Sequence, residues 1–253
     1  KHLLLDGPLA FDLAPDVPAV KQIRKHIGVL KDLTTDRQAL AEWQESLRQL
    51  VLSQVMGGAD AAALASQAEL DGWCRHNGAA PARLLHQILR QGLASFGAGA
   101  TPQMGRLGSD ELRLRLKNDA DQAFASAPQS AGGLCLETGP LSRQSEHPLI
   151  KDLYRNNGYG LAARLAARLI EVSHAMTGIA LSLPMLDSAP ALRQDTASGE
   201  GVGVAEAARG RLVHWVAMQD GLVEDYRLLA PTEWNFNPEG AFVQGLRGVS
   251  VDG

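Results

Sequence analysis

Cysteine is almost missing from this sequence: Cys74 and Cys135 are the only two among 253 residues. Two isolated cysteines cannot build a disulfide framework, and neither sits in a CxxC pair of the kind that grips a metal. They read as two buried thiols behaving as small hydrophobes, and a reducing cytoplasm fits best. Positive charge is not in excess. Lys and Arg total 24 against 28 Asp and Glu, a net charge of −4, which excludes the strongly basic face of a nucleic-acid binder. No apolar run approaches the roughly 20 residues that a membrane-spanning helix needs. The opening Lys1–Asp6 has a short apolar stretch with no cleavage-site pattern after it, which makes a poor signal peptide. A G-x-S-x-G nucleophile elbow, an internal repeat and a low-complexity tract are all lacking. The sequence begins without Met and stops at Gly253 inside a β-type segment, so both ends are taken as trimmed.

What is present is an ordinary globular balance, 45% hydrophobic and 21% charged, which supplies a sizeable core for one large domain or two small ones. The first two thirds read as helix. Ala39 to Met56 places Leu40, Trp43, Leu47, Leu50, Val51 and Val55 on one face, and Gly57-Gly58 stops it. Asp60 to His76 is a second helix with Leu64, Ala65, Leu70 and Trp73 inward, ended by Asn77-Gly78. Pro81 opens a third over Ala82 to Phe96. Ser109 caps a fourth reaching about Ala125, with Asp110 and Glu111 in its first turn favouring the dipole. Ser126 to Gly133 is a loop. The longest helical pattern runs from about Leu149 to Met176, closed by Gly178 and kinked or delayed by Gly158 and Gly160. After Gly199 the texture becomes β-like. Arg211 to Met218 and Leu222 to Leu229 flank Gln219-Asp220-Gly221, and Asp-Gly between such runs signals a hairpin.

Three stretches look constrained by chemistry. Leu136-Glu137-Thr138-Gly139-Pro140-Leu141-Ser142-Arg143 sets a carboxylate and a guanidinium around a Gly-Pro turn. It also reads simply as a turn with an ion pair at its ends. Gly199-Glu200-Gly201-Val202-Gly203 precedes Glu206-Ala207-Ala208-Arg209-Gly210. No Lys-Ser/Thr follows, so a phosphate loop is a weak reading. The glycines would instead let the backbone approach a buried group, with the planar fork of Arg209 donating to an anionic ligand. Alternatively Arg209 pairs with Glu206 or Glu200. In Pro231-Thr232-Glu233-Trp234-Asn235-Phe236-Asn237-Pro238, Thr232 offers a hydroxyl beside a rigid proline, and Trp234 would anchor the segment to the core; the stretch also reads simply as an aromatic-pinned loop. The histidines do not form a metal set; His76 and His86 fall on different helices, His174 reads as a core or edge residue, and His214 in the hairpin is the best polar candidate.

Together these stretches resemble the large subunit of NiFe hydrogenases. That family shows E-V-G-P-L-A-R, then E-A-P-R-G, a hairpin, and P-T/S-T-W-N, in the order found here over about Leu134 to Gly248. The resemblance implies a mainly α fold with a small β part (α+β). A helical core over 1–133 would precede a motif-bearing region over 134–253 with the long helix and a C-terminal hairpin, forming a single large-subunit-like domain. In the family the arginine of E-A-P-R-G and the Pro-Ser/Thr pair line the pocket of the iron's two cyanides. The matching residues here are Arg209, Pro231 and Thr232, with Glu206 and His214 beside them. A guanidinium and a hydroxyl suit an anionic cyanide nitrogen in a dry pocket.

The departures carry information too. Ala208 stands where the family has proline, and Thr138 and Ser142 stand within E-V-G-P-L-A-R. The family holds its metals through two CxxC pairs, one near each terminus, and Cys74 and Cys135 occupy neither position. A chain with these features resembles the HupK/HoxV type of hydrogenase accessory protein. That resemblance implies an assembly scaffold with no catalytic residues, which carries or helps build an Fe(CN)2CO unit without nickel. Its partners would be HypC/HupF-type chaperones and the hydrogenase large-subunit precursor. The alternatives are a fragment of a catalytic large subunit, which flanking CxxC motifs would reveal, and a purely structural large-subunit relative.

Overall fold

In the computed structural model the described residues are 1–30, 36–105, 109–182 and 198–249. The chain is mainly α with one small antiparallel sheet. It divides into two compact units, each made of two stretches: Lys1–Ser95 with Glu146–Pro190, and Phe96–Ser145 with Ala191–Gly253. The expected division at 133/134 falls within the second unit.

The first unit is helical. Its Arg37–Gln54 helix buries Leu40, Trp43, Leu47 and Val51 along one stripe, as the spacing predicts. The Trp43 indole does not leave its N–H unmet; Nε1 donates to the His26 carbonyl at 3.0 Å. The second expected helix is shorter than the periodicity suggests. Asp60 opens only a single 3-10 turn, Ala61–Ala63, and the helix proper is Gln67–His76. The reason is a competing cap. Ser66 Oγ accepts from the Glu69 N–H at 3.3 Å while the Glu69 carboxylate accepts from the Ala65 N–H at 2.7 Å, a reciprocal arrangement that fixes the start. Ala65, expected inward, is therefore exposed.

The third helix, Ala80–Arg90, buries Leu84, Leu85 and Ile88 completely. It ends well before Phe96, because the Leu93 N–H turns back to the Ile88 carbonyl at 3.0 Å and closes the last turn. The long pattern after Leu149 is two helices, Pro148–Asn157 and Leu161–Ser182, broken at Gly158 (φ 64°). Gly178 does not close the second, which runs through it to Ser182. Alanines 162, 163, 166 and 167 lie buried along its face, so neighbouring backbones can come close. His174 is exposed on this helix, its ring 6.1 Å from that of His147.

The second unit carries the sheet. The expected hairpin is present as β2 (Gly210–Gln219) and β3 (Leu222–Leu229). Asp220 and Gly221 both have positive φ, 50° and 79°, the two-residue turn whose twist matches paired strands. A further strand lies where a glycine loop was expected: β1 (Gly199–Ala207) pairs antiparallel with β2, giving the order β1-β2-β3. Val202 sits opposite Trp215 and Val204 opposite Val213. One face of the sheet covers a cluster containing Met104, Leu112, Leu116, Cys135, Val213, Trp215, Leu229 and Trp234. The Arg227 guanidinium lies 5.1 Å over the Trp215 ring and closes the Ser109–Lys117 helix by donating to the Lys117 carbonyl at 3.1 Å.

That helix stops at Lys117, not near Ala125. The buried Asp119 carboxylate takes the N–H groups of Phe124 and Ala125, both at 2.8 Å, and starts a separate short helix, Ala123–Ser126. The expected side-chain cap from Ser109 lies outside the described residues.

Candidate functional site

All three constrained stretches meet in the second unit, through hydrogen bonds made by side chains of the motifs themselves. Glu137 enters as an extended residue; its backbone N–H donates to the Pro102 carbonyl at 2.9 Å, and its carbonyl accepts from the Met104 N–H at 2.7 Å. Its side chain is only 7% exposed and accepts from Gln103 Nε2 at 3.0 Å. Gly139 then turns the chain into the short helix Pro140–Arg143. The two hydroxyls that distinguish this stretch from E-V-G-P-L-A-R both have work in the fold. Thr138 Oγ1 accepts from the Arg211 N–H at 3.0 Å, and Ser142 Oγ donates to the Met104 carbonyl.

Arg209 is presented by a tight connection. Ala207 pairs with Gly210 in the β1–β2 ladder, leaving Ala208 and Arg209 as a two-residue turn. Glu206 does not pair with Arg209. Its carboxylate bridges Arg143 at 2.8 Å and Arg211 at 2.5 Å. Glu200 pairs with Arg113 and with Lys117, the latter at 3.1 Å. Both alternative partners of Arg209 are thus engaged elsewhere. The Arg143 ion pair runs to Glu206, and a second Arg143 nitrogen donates to the Ala207 carbonyl at 3.0 Å. Gly201 and Gly203 of β1 do not approach a buried group; a methyl at either would meet nothing within 4 Å. Gly210 makes the close approach instead. Its φ is 133°, and a Cβ there would lie 2.5 Å from Thr138 Cγ2 and 2.9 Å from Pro231 Cβ.

The third stretch forms the short helix Pro231–Asn235. Trp234 anchors it at 1% exposure, edge-on to Phe124 with ring centroids 6.2 Å apart. Asn235, which sequence reasoning placed only as part of a motif, ties all three stretches together. Its Oδ1 accepts from the Thr138 N–H at 3.0 Å, and its Nδ2 donates to the carbonyls of Thr138 at 2.9 Å and Arg209 at 3.1 Å. Amides with this reach are not recognisable locally, since the partners lie 97 and 26 positions away.

Of the five expected site residues, Arg209, Pro231 and Thr232 gather around the contact between Gly210 and Pro231. Pro231 is buried, while Arg209 and Thr232 are exposed, and among the described residues neither the guanidinium nor the hydroxyl has a partner. This corner is open to water, unlike the dry pocket expected. Glu206 sits behind the turn as the ion-pair bridge. His214 lies four residues into β2, opposite Gly203 and Leu228, with Nδ1 hydrogen-bonded to the Tyr226 hydroxyl; it does not join the Arg209–Thr232 corner.

Both cysteines are buried and free, as expected. Burial, reinforced by the nearby Asp71 charge, pushes the Cys74 thiol up to about 12, and burial likewise raises that of Cys135. Cys135 Sγ donates to the Trp234 carbonyl at 3.2 Å. Neither side chain presents a thiolate at neutral pH. Among the described residues no group of three or more His, Cys, Asp or Glu could hold a metal ion, and no helix is long and apolar enough to cross a membrane.

Two outcomes are expected from these thiols. Neither should react with a thiol reagent in the native chain at pH 8, and both should react in denaturant. A raised thiol pKa stabilises the fold fully below the ordinary value of 9.0, and that contribution disappears as pH climbs toward about 12. Thiolate absorbance followed through an alkaline titration reads this directly. Ionisation of Cys74 near its ordinary value, with the fold retained, would refute the burial argument.

The family described as nickel-dependent hydrogenase matches residues 160–246. Among curated proteins, the chain is 35% identical over 159 residues to the hydrogenase expression/formation protein HupK of Rhizobium leguminosarum bv. viciae, covering 61% of this chain and 40% of that one. It is 33% identical over 178 residues to the hydrogenase expression/formation protein HoxV of Cupriavidus necator, covering 66% of this chain and 44% of that one. The chain thus spans less than half the length of these relatives. Among solved structures, the Ni-Fe-Se hydrogenase from D. vulgaris Hildenborough in the reduced state aligns with a TM-score of 0.57 at 19% identity, over 84% of this chain and 55% of that one. That likeness shows the fold of a NiFe hydrogenase large subunit, and over the matched stretches the chain is similar to hydrogenase expression/formation proteins of the HupK/HoxV type.

Proposed function

We propose that this protein is a hydrogenase accessory protein that carries or helps build an Fe(CN)2CO unit for delivery to a hydrogenase large subunit. The observation that carries the reading is the corner formed by Arg209 and Thr232. Two side-chain donors without partners among the described residues flank the Gly210–Pro231 contact, at the end of a β turn held from behind by Arg143, Glu206 and Asn235. A cyanide nitrogen bound to iron is anionic and accepts hydrogen bonds, so a guanidinium and a hydroxyl suit it. The names of the HupK and HoxV relatives, both hydrogenase expression/formation proteins, support an accessory and non-catalytic role. The two buried, protonated cysteines offer no thiolate for nickel in this part of the chain. The partners that follow are the HypC/HupF-type chaperones, as source of the iron unit, and the large-subunit precursor, as its recipient; both belong to the cytoplasm.

Infrared spectroscopy tests the reading on full-length protein purified from cells expressing the maturation machinery. Cyanide and carbonyl bands with iron present and nickel absent are expected. Bands accompanied by stoichiometric nickel and hydrogen turnover would instead mean a catalytic large subunit. A spectrum without such bands would leave the Arg209–Thr232 corner without its cargo.

A further inference from the structure

We infer that Asn235 is a positioning residue that sets the direction of Arg209 by holding its carbonyl. The inference rests on Arg209 being a cargo donor, but its geometry stands by itself. The Ala208-Arg209 turn has little side-chain packing of its own: both residues are exposed, and β1 leads into it with a largely exposed run. Its backbone is fixed from outside at two points only among the described residues. Arg143 Nη2 holds the Ala207 carbonyl at 3.0 Å, and Asn235 Nδ2 holds the Arg209 carbonyl at 3.1 Å. Asn235 is in turn fixed by its paired bonds to the Thr138 N–H and carbonyl, and its helix is anchored by buried Trp234. The amide therefore copies the position of the Thr138-Gly139-Pro140 turn onto the residue that bears the donor. Only an amide can do this. The site needs one acceptor and one nitrogen donor on a single short planar group, and aspartate supplies acceptors only.

The test uses full-length protein carrying Asn235→Asp, with Asn235→Ala as the second variant should the aspartate fail to fold. Asn235→Asp keeps an oxygen for the Thr138 N–H and turns the donor into an acceptor facing two carbonyls. Two readouts separate positioning from cargo. In unloaded protein, amide hydrogen exchange over residues 207–211 is expected to speed up about tenfold, with the rest of the second unit little changed, since the hydrogen bonds that hold the turn are lost. In protein loaded by the maturation machinery, the cyanide bands of Asn235→Asp are expected to move in the direction seen for Arg209→Ala, because in both the guanidinium no longer meets the nitrogen. Unchanged exchange at 207–211 in both variants would overturn the positioning role. So would wild-type band positions in Asn235→Asp when Arg209→Ala shifts them. If wild-type protein shows no bands, the cargo reading fails, and faster exchange at the turn still upholds Asn235 as what holds it.

Discussion

Replacing Arg209 with alanine is expected to lower retention of an iron–dicyanide unit by about tenfold or more, and Thr232→Ala by only about threefold. The difference comes from charge. A hydrogen bond from a guanidinium to an anionic nitrogen is worth about 1.5–3 kcal/mol, against about 0.5–1.5 kcal/mol for a neutral hydroxyl. The lower half of each range applies, because both side chains are exposed in this chain and water competes for the same acceptor. Neither side chain has a partner to lose among the described residues, so neither substitution should unfold the second unit. Iron content and cyanide band intensity after gel filtration measure retention, and thermal denaturation supplies the control. Equal retention in the two variants would count against the cyanide pocket, because a pocket built on a cation must feel its removal more. Arg209→Lys refines the result. It keeps the charge and loses the planar fork, so partial retention separates charge from geometry.

Where the sequence was legible, a local signal decided the structure. The stripe Leu40, Trp43, Leu47, Val51 has no competitor within its helix, and the Asp220-Gly221 turn sits between two β-leaning runs; both form as expected. Where it misled, apolar spacing continued across a polar side chain that had a better use. Ser66 and Asp119 each look like an ordinary surface residue inside a helical pattern, yet each starts a new helix by accepting backbone N–H groups. Strand β1 was illegible for another reason. Gly199, Gly201 and Gly203 have poor strand propensity, and pairing with β2 holds them extended. The site divides the same way. Arg209, Pro231 and Thr232 came from motif order, whereas the bridge of Glu206 between Arg143 and Arg211 and the reach of Asn235 are long-range pairings that no window of sequence contains.

Gly210→Ala is expected to damage the second unit severely, lowering its stability by about 3–5 kcal/mol. Two independent costs add. At φ 133° an L-residue is strained by about 1–3 kcal/mol. The new methyl would also lie 2.5 Å from Thr138 Cγ2, 2.9 Å from Pro231 Cβ and 3.0 Å from the Thr138 carbonyl oxygen. None of these can withdraw cheaply. Thr138 is held by Asn235 and by the Arg211 N–H, and Pro231 is a ring at a buried helix start. Gly203→Ala is the matched control in the neighbouring strand, with ordinary φ and open space at its Cβ; its effect should stay within about 1 kcal/mol. A loss of that size is a large share of the roughly 5–15 kcal/mol that holds a domain together, so Gly210→Ala should melt well below the control. Any Gly210→Ala protein that remains folded should release the iron unit as readily as Arg209→Ala does, because the residue that moves is the direct neighbour of Arg209. Equal melting of Gly210→Ala and Gly203→Ala would mean that the three motif stretches are not packed against one another at Gly210, and the shared corner would lose its structural basis.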